Sequence, residues 1–215
     1  MTAPKLYLLT NDEDIHTLSE KLERAFDTGV VSLLQIRRHQ TAHVFDLITL
    51  YQETEILISL ADKYDIPTVI NENLELAVHF NTGLHLTSSG NVRMVRELLG
   101  DDVYVGQSCH GDVALFREAK KQGASYGAMG AMFGSMARPL AKTVSAETLM
   151  RANGVGLPLC LIGGIGLGNM DALRQNVGQA CIDYIAVTTD ILGHSAETVT
   201  AKCRAWRMYL EKWDG

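Results

Sequence analysis

A chain of 215 residues and 23.6 kDa has room for the core of one domain, and two full domains would be cramped. Its 47% hydrophobic and 20% charged residues exclude a disordered or fibrous chain. Nineteen Lys and Arg against 25 Asp and Glu leave a net charge of −6, which argues against nucleic acid or a membrane surface as partner. Cys109, Cys160, Cys181 and Cys203 form no CxxC pair, so neither a zinc clamp nor a disulfide scaffold is expected. No apolar run is long enough to span a membrane, and the first residues lack a basic, then apolar, leader. The expectation is a soluble, cytoplasmic protein in a reducing compartment.

In chain order, residues 5–10 (KLYLLT) read as a buried strand, closed by Asn11-Asp12-Glu13-Asp14 at a helix start. Leu18, Leu22, Ala25 and Phe26 recur at helical spacing up to Gly29, and residues 30–36 (VVSLLQI) form a second strand. A helical stretch from about residue 41 to 64 leads into a third strand at 67–70. Further strands are expected at 83–86, 103–108, 124–129, 158–162 and 182–187. Helices are expected at about 74–80, 92–99, 112–122, 146–153, 169–176 and 196–211. The strands do not alternate cleanly, as befits a parallel sheet buried on both faces. Eight strand–helix units predict an α/β fold, a (β/α)8 TIM barrel, with residues 1–215 as one domain. A doubly wound open sheet would leave at least one unit unexplained. The last helix, with Trp206 and Trp213, is expected to pack on the barrel or on a partner, and a homodimer is the commonest assembly.

Glycine is the unusual component, with 19 residues against four prolines. Gly29, Gly83, Gly123 and Gly178 fall between helices and strands, where a helix C-cap takes a positive φ. Gly106, Gly127, Gly130, Gly134, Gly163, Gly164, Gly166 and Gly168 instead sit at or beyond strand ends, the barrel face that carries active sites. Gly163-Gly164-Ile165-Gly166-Leu167-Gly168-Asn169 after the seventh strand predicts a phosphate cradle of backbone N–H groups, shared with Thr188 and Thr189 after the eighth. Asp190 beside them should then point away from the anion. The alternative is that these glycines only allow tight turns.

Four other constellations reach the same face. Gln35 and Arg37 share one side of the second strand, and Arg37 can meet an anionic substrate if Gln35 faces the lumen; an exposed basic turn is the alternative. Asn71-Glu72-Asn73 can offer oxygen ligands to a hard cation, or Asn71 can cap the next helix. His85 and His110 lie at the rims of the fourth and fifth strands, and His110 is the better acid/base candidate. Cys109 reads as a packing residue. The glycine-bearing segment 129–139 is a lid over the mouth, with Ser135 and Arg138 as its polar parts. Met132 and Phe133 cover an apolar ring of substrate or pack the loop down.

Taken in order, Tyr7-Leu8-Leu9-Thr10, Gln35-Ile36-Arg37, Ile70-Asn71-Glu72, Leu84-His85-Leu86, Gly106-Gln107-Ser108-Cys109-His110, Gly163-Gly164-Ile165 and Ala186-Val187-Thr188 resemble the thiamine phosphate synthase/TenI superfamily over nearly the whole chain. The resemblance implies a small phosphorylated heteroaromatic ligand. The synthases join hydroxymethylpyrimidine diphosphate to a thiazole phosphate with Mg²⁺. The TenI proteins bind the thiazole phosphate, and some aromatise a thiazole tautomer without a required cofactor. By the same resemblance Gly163, Gly164, Thr188 and Thr189 hold the phosphate, and Gln35, Arg37, His39, Asn71, His85, Ser108, Met132 and Phe133 line the substrate site.

The departures fall on one side of that pattern. The family lysine is His39, the family Asn-Asp metal pair is Asn71-Glu72, and the second metal-binding aspartate is replaced by Gly90. In the lid, one of two hydroxyls is lost around Ser135, and Arg138 stands for the lysine. The resemblance therefore leans to a TenI-like thiazole tautomerase with His110 moving the proton. A synthase using Mg²⁺ at Glu72 and a non-catalytic heteroaromatic-phosphate sensor are the alternatives.

Overall fold

Apolar runs of four to six residues, too short for core helices, become eight parallel strands that close into a barrel in sequence order. The computed structural model describes residues 3–38, 46–87, 89–134 and 143–213. The strands are β1 Lys5–Leu9, β2 Val31–Ile36, β3 Thr68–Asn71, β4 Gly83–Leu86, β5 Val105–His110, β6 Tyr126–Met129, β7 Leu159–Ile162 and β8 Tyr184–Val187. The helices are α1 Ile15–Phe26, α2 Leu47–Asp62, α3 Leu74–His79, α4 Val92–Leu99, α5 Val113–Lys121, α6 Ala146–Asn153, α7 Met170–Val177, α8 Thr189–Leu192 and α9 Ala196–Glu211, with a 3-10 turn at Leu167–Asn169. Asp14, Asp46, Asn73, Asn91, Asp112 and Ser145 each cap the helix that follows by accepting a backbone N–H. The expected start of the second helix near residue 41 lies outside the described residues. No described helix is long and apolar enough to cross a membrane.

Period-two alternation splits the strand side chains between two cores. Tyr7, Leu33, Val69, Tyr126 and Tyr184 fill the lumen, whereas Leu6, Leu8, Leu34, Cys109 and Leu161 pack outward against the helices. Trp206 and Trp213 are both buried in the outer core, so α9 packs on the barrel as expected.

Two groups of glycines differ from expectation. Gly29, Gly123 and Gly178 do take positive φ, but Gly83 is the first residue of β4 and is no cap. A Cβ there would stand 2.7 Å from Val69 Cγ1, so the strands can close only over a glycine. Gly106 and Gly127 likewise serve packing rather than ligand access. A Cβ on Gly106 would fall against the Tyr126 ring, 2.6 Å from its Cε1, and one on Gly127 would fall against the Phe116 ring.

Gly106→Ala is expected to destabilise the protein by about 1–3 kcal/mol, because the lumen is already full. Gly168→Ala, where nothing lies within 4 Å, should stay within about 0.5 kcal/mol of the parent. Urea unfolding of both variants checks the contrast.

Candidate active site

The carboxyl ends of β7 and β8 leave the barrel at one level, since Ile162 pairs with Ala186 and Gly164 and Thr188 each stand two residues beyond. Gly163 and Gly164 take φ of 102° and 67°, and both face a crowded neighbour. A Cβ on Gly163 would lie 2.7 Å from Ala131 Cα, and one on Gly164 2.9 Å from Phe133 Cβ. The turn is clamped by Asn169, whose Oδ1 accepts from Gly166 N at 3.0 Å and whose Nδ2 donates to Gly164 O at 2.8 Å. Among the described residues the N–H groups of Gly164 and Ile165 have no acceptor, which suits them to an anion. Thr188 precedes the first turn of α8 and is half-buried, and Thr189 is exposed.

Asp190 takes up one amide of the predicted 163–169 segment rather than facing away from all of it. Its Oδ2 accepts from Trp206 Nε1 at 2.8 Å and from Leu167 N at 3.2 Å, and its Oδ1 lies 3.3 Å from Lys202 Nζ. The carboxylate thus ties the β7 turn to α9. Neither Asn169 nor Asp190 stood out in the sequence as a clamp; an amide at the helix start after a glycine turn was the available signal.

The segment after β6 joins two parts of the rim. Gly130 N donates to His110 O at 3.1 Å, while Met132 N and Phe133 N donate to Ile162 O and Gly163 O at 3.0 Å each. Met132 is buried in the outer core and half-buried Phe133 packs against the same cluster, so these side chains hold the loop down. For Met132 that burial is the packing reading of the loop. Ser135 and Arg138, and His39 after β2, lie outside the described residues.

At the end of β5, Ser108 is half-buried, Cys109 is buried in the outer core and His110 is exposed at the rim. Burial, then the Asp112 charge, pushes the Cys109 thiol up to about 12, so it is no nucleophile. His110 sits in left-handed backbone with φ 51°, a conformation that a histidine adopts more readily than most residues.

Gln35 faces the lumen, but it is buried and its Nε2 donates to Tyr7 Oη at 2.7 Å. Arg37 is half-buried at the mouth, its backbone held by Thr10 Oγ1. The adjacent Arg38 is buried and reaches the other way, donating to Glu53 Oε2 at 2.9 Å and to the carbonyls of Asn11 and Glu13 at 2.7 Å each. It fastens the β1 and β2 loops to α2, a structural use of the second arginine. His85 is buried between Tyr126 and Ser108. Desolvation, then the Arg37 charge, holds its imidazole down to about 4.

Asn73, rather than Asn71, caps α3, its Oδ1 accepting from Leu76 N at 3.0 Å. Asn71 is therefore left at the end of β3, half-buried at the mouth. Glu72 is exposed in left-handed backbone with φ 61°, its N–H on His85 O. A second carboxylate is lacking where the family pattern places one. Gly90 O accepts from Gln107 Nε2 at 3.0 Å, and a Cβ at Gly90 would stand 2.7 Å from Leu86 Cβ. Among the described residues no three His, Cys, Asp or Glu side chains converge as metal ligands. Among the described residues Glu72 is the one carboxylate at this part of the rim, the lower end of the one or two that Mg²⁺ takes from a protein beside substrate phosphates.

A family model described as "Thiamine monophosphate synthase" matches residues 6–191. A thiamine-phosphate synthase of Janthinobacterium sp. (strain Marseille) is 35% identical over 175 residues, which is 80% of this chain and 82% of the relative. Among solved structures, a thiamine phosphate pyrophosphorylase from Pyrococcus furiosus superposes with a TM-score of 0.76 at 22% identity, covering 98% of this chain and 97% of that one. A 3-hexulose-6-phosphate synthase superposes with a TM-score of 0.62 at 10% identity over 95% and 98% of the two chains, which is likeness of fold alone.

The neutral His85 has a consequence for stability. An unfolded histidine protonates near 6.5, whereas this one resists protonation down to about 4. Its contribution is complete above pH 6.5 and is lost as the pH falls through that window, at about 1.4 kcal/mol per pH unit. Denaturant unfolding between pH 7 and pH 5 should show a weaker acid loss in His85→Asn than in the parent; equal slopes would contradict the assignment.

Proposed function

The chain belongs to the thiamine monophosphate synthase/TenI family, and we propose that within this family of enzymes it binds a thiazole phosphate and moves a proton on the ring. The observation that carries the proposal is a divided mouth. A clamped, amide-bearing turn follows β7 beside the end of β8, and an exposed histidine stands at the end of β5. On the other side, Leu86 blocks the position of a second carboxylate.

Gly163 and Gly164, with Thr188 and Thr189, take the phosphate, their N–H groups and hydroxyls donating to its oxygens. The ring then extends toward β5. His110 takes a proton from one ring position and returns a proton at another, an isomerisation that leaves composition and oxidation state unchanged. Its backbone, bonded to Gly130, connects through residues 130–133 to the phosphate turn, so loop and base keep a fixed spacing. Arg37 supplies positive charge at the mouth for a second anionic group on the ligand.

The named relatives favour a second reading, a synthase that joins hydroxymethylpyrimidine diphosphate to the thiazole phosphate. That reaction uses Mg²⁺, for which Glu72 would be the one protein carboxylate at hand.

Two assays on the purified protein separate the readings. The thiazole tautomer alone should be aromatised, and His110→Asn should slow this by at least about 100-fold while ligand affinity stays within about threefold. Unchanged turnover in that variant removes His110 from the mechanism. Coupled product from pyrimidine diphosphate, thiazole phosphate and Mg²⁺ would establish the synthase instead. Tight binding without turnover in either assay would mark a sensor.

A further inference from the structure

The lumen holds a chain of polar groups that the proton transfer does not use. Gln35 Nε2 donates to Tyr7 Oη at 2.7 Å, and Tyr7 Oη lies 2.7 Å from Tyr126 Oη. Tyr126 Oη lies 2.9 Å from His85 Nδ1, and His85 Nε2 lies 2.9 Å from Ser108 Oγ. The chain crosses the barrel from β2 and β1 to β6, β4 and β5. All but Ser108 are buried. Burial pushes the Tyr7 and Tyr126 phenols well above their usual range and the His85 imidazole down to about 4. Every member is neutral at physiological pH, and only the direction of the hydrogen bonds remains to be set.

Proton counting sets it. Tyr7 Oη accepts from Gln35, and its own proton has the Tyr126 oxygen as its one remaining partner among the described residues. The Tyr126 proton then goes to His85 Nδ1, which must be bare. The imidazole proton is left on Nε2 and goes to Ser108 Oγ. The Ser108 proton has no partner among the described residues and is offered to the mouth. Were Gln35 to present its Oε1 to Tyr7, every bond would reverse, and Ser108 would donate inward and offer only lone pairs outward.

We infer that Gln35 fixes the direction of this chain through Tyr7, Tyr126 and His85, and so makes Ser108 a hydrogen-bond donor toward the ligand. Ser108 lies on β5, with β6 between it and the phosphate turn of β7. The group that it meets is therefore a hydrogen-bond acceptor remote from the phosphate, which on the thiazole reading is the ring carboxylate. This ligand-facing half rests on the thiazole-phosphate reading; the direction of the chain does not. Gln35 and Tyr126 are positioning residues, acting through the histidine on the serine.

Nitrogen-15 NMR of the ligand-free protein, with ring nitrogens labelled and the His85 signals assigned through His85→Asn, reads the direction. The parent should show a protonated Nε2 and a bare Nδ1, unchanged between pH 5 and pH 8. In Tyr126→Phe both tautomers should appear, since Nδ1 has lost its donor. In Gln35→Glu, whose carboxylate can only accept, the proton should move to Nδ1. A parent proton on Nδ1, or a tautomer that ignores Tyr126→Phe, overturns the inference; the phenylalanine variant keeps the test open if the buried glutamate prevents folding. For the ligand, Ser108→Ala should weaken a thiazole phosphate bearing a ring carboxylate about tenfold, and the same compound without the carboxylate less than twofold. Equal losses for the two compounds would overturn the carboxylate assignment. The expected tautomer with neither compound bound would refute the functional reading and leave the direction of the chain standing.

Discussion

The Tyr126 side chain is the constraint on which most of the barrel interior depends. Its ring occupies the middle of the lumen, with centroids 5.6 Å from Tyr7, 5.7 Å from His85 and 5.8 Å from Tyr184. Gly106 is a glycine because that ring stands against it. A phenol hydroxyl buried this deeply must be hydrogen-bonded on both sides, since an unpaired one would cost several times what a hydrogen bond returns. The partners it finds, Tyr7 and His85, belong to opposite walls. Packing demand and polar satisfaction thus meet at one atom, and through it the β1–β2 wall is coupled to the β4–β5 wall that carries Ser108 and His110.

Above that layer the mouth divides into two halves with different construction. Beside β7 and β8 the proposed phosphate site is backbone, fixed by Asn169 from within the turn and by Asp190 from outside it. At β3 and β4 a second carboxylate beside Glu72 is lacking among the described residues. Leu86 fills the space beside Gly90, and Gln107 holds the Gly90 carbonyl. Among the described residues one half presents the amides of Gly164 and Ile165 without an acceptor and the other a single exposed carboxylate. Chemistry that needs only a held phosphate and a movable proton matches this arrangement with the fewest missing parts.

The strands and their order were legible in the sequence because two-sided burial leaves short unbroken apolar runs between capped helices, and no other pattern fits eight of them. The turn after β7 was legible for a similar reason: Gly163 and Gly164 need positive φ and close approach at once. The polar chain was not legible. Tyr7 and Tyr126 sit inside apolar runs, and nothing local distinguishes a phenol that packs from one that also relays a hydrogen bond across 119 positions of sequence. The same limit explains Gly83 and Gly106, read as a cap and as a mouth residue. Their real partners, Val69 and Tyr126, lie on other strands. Asn71 and Asn73 were misordered because either can cap a helix, and only the strand end at Asn71 decides between them.

A crystal structure of the protein with a thiazole carboxylate phosphate bound tests the central claim most directly. The account places the phosphate on the backbone of Gly164 and Ile165 beside Thr188, with the ring reaching toward His110. A phosphate seated instead at Glu72 and Asn71, with the β7 turn empty, would contradict it.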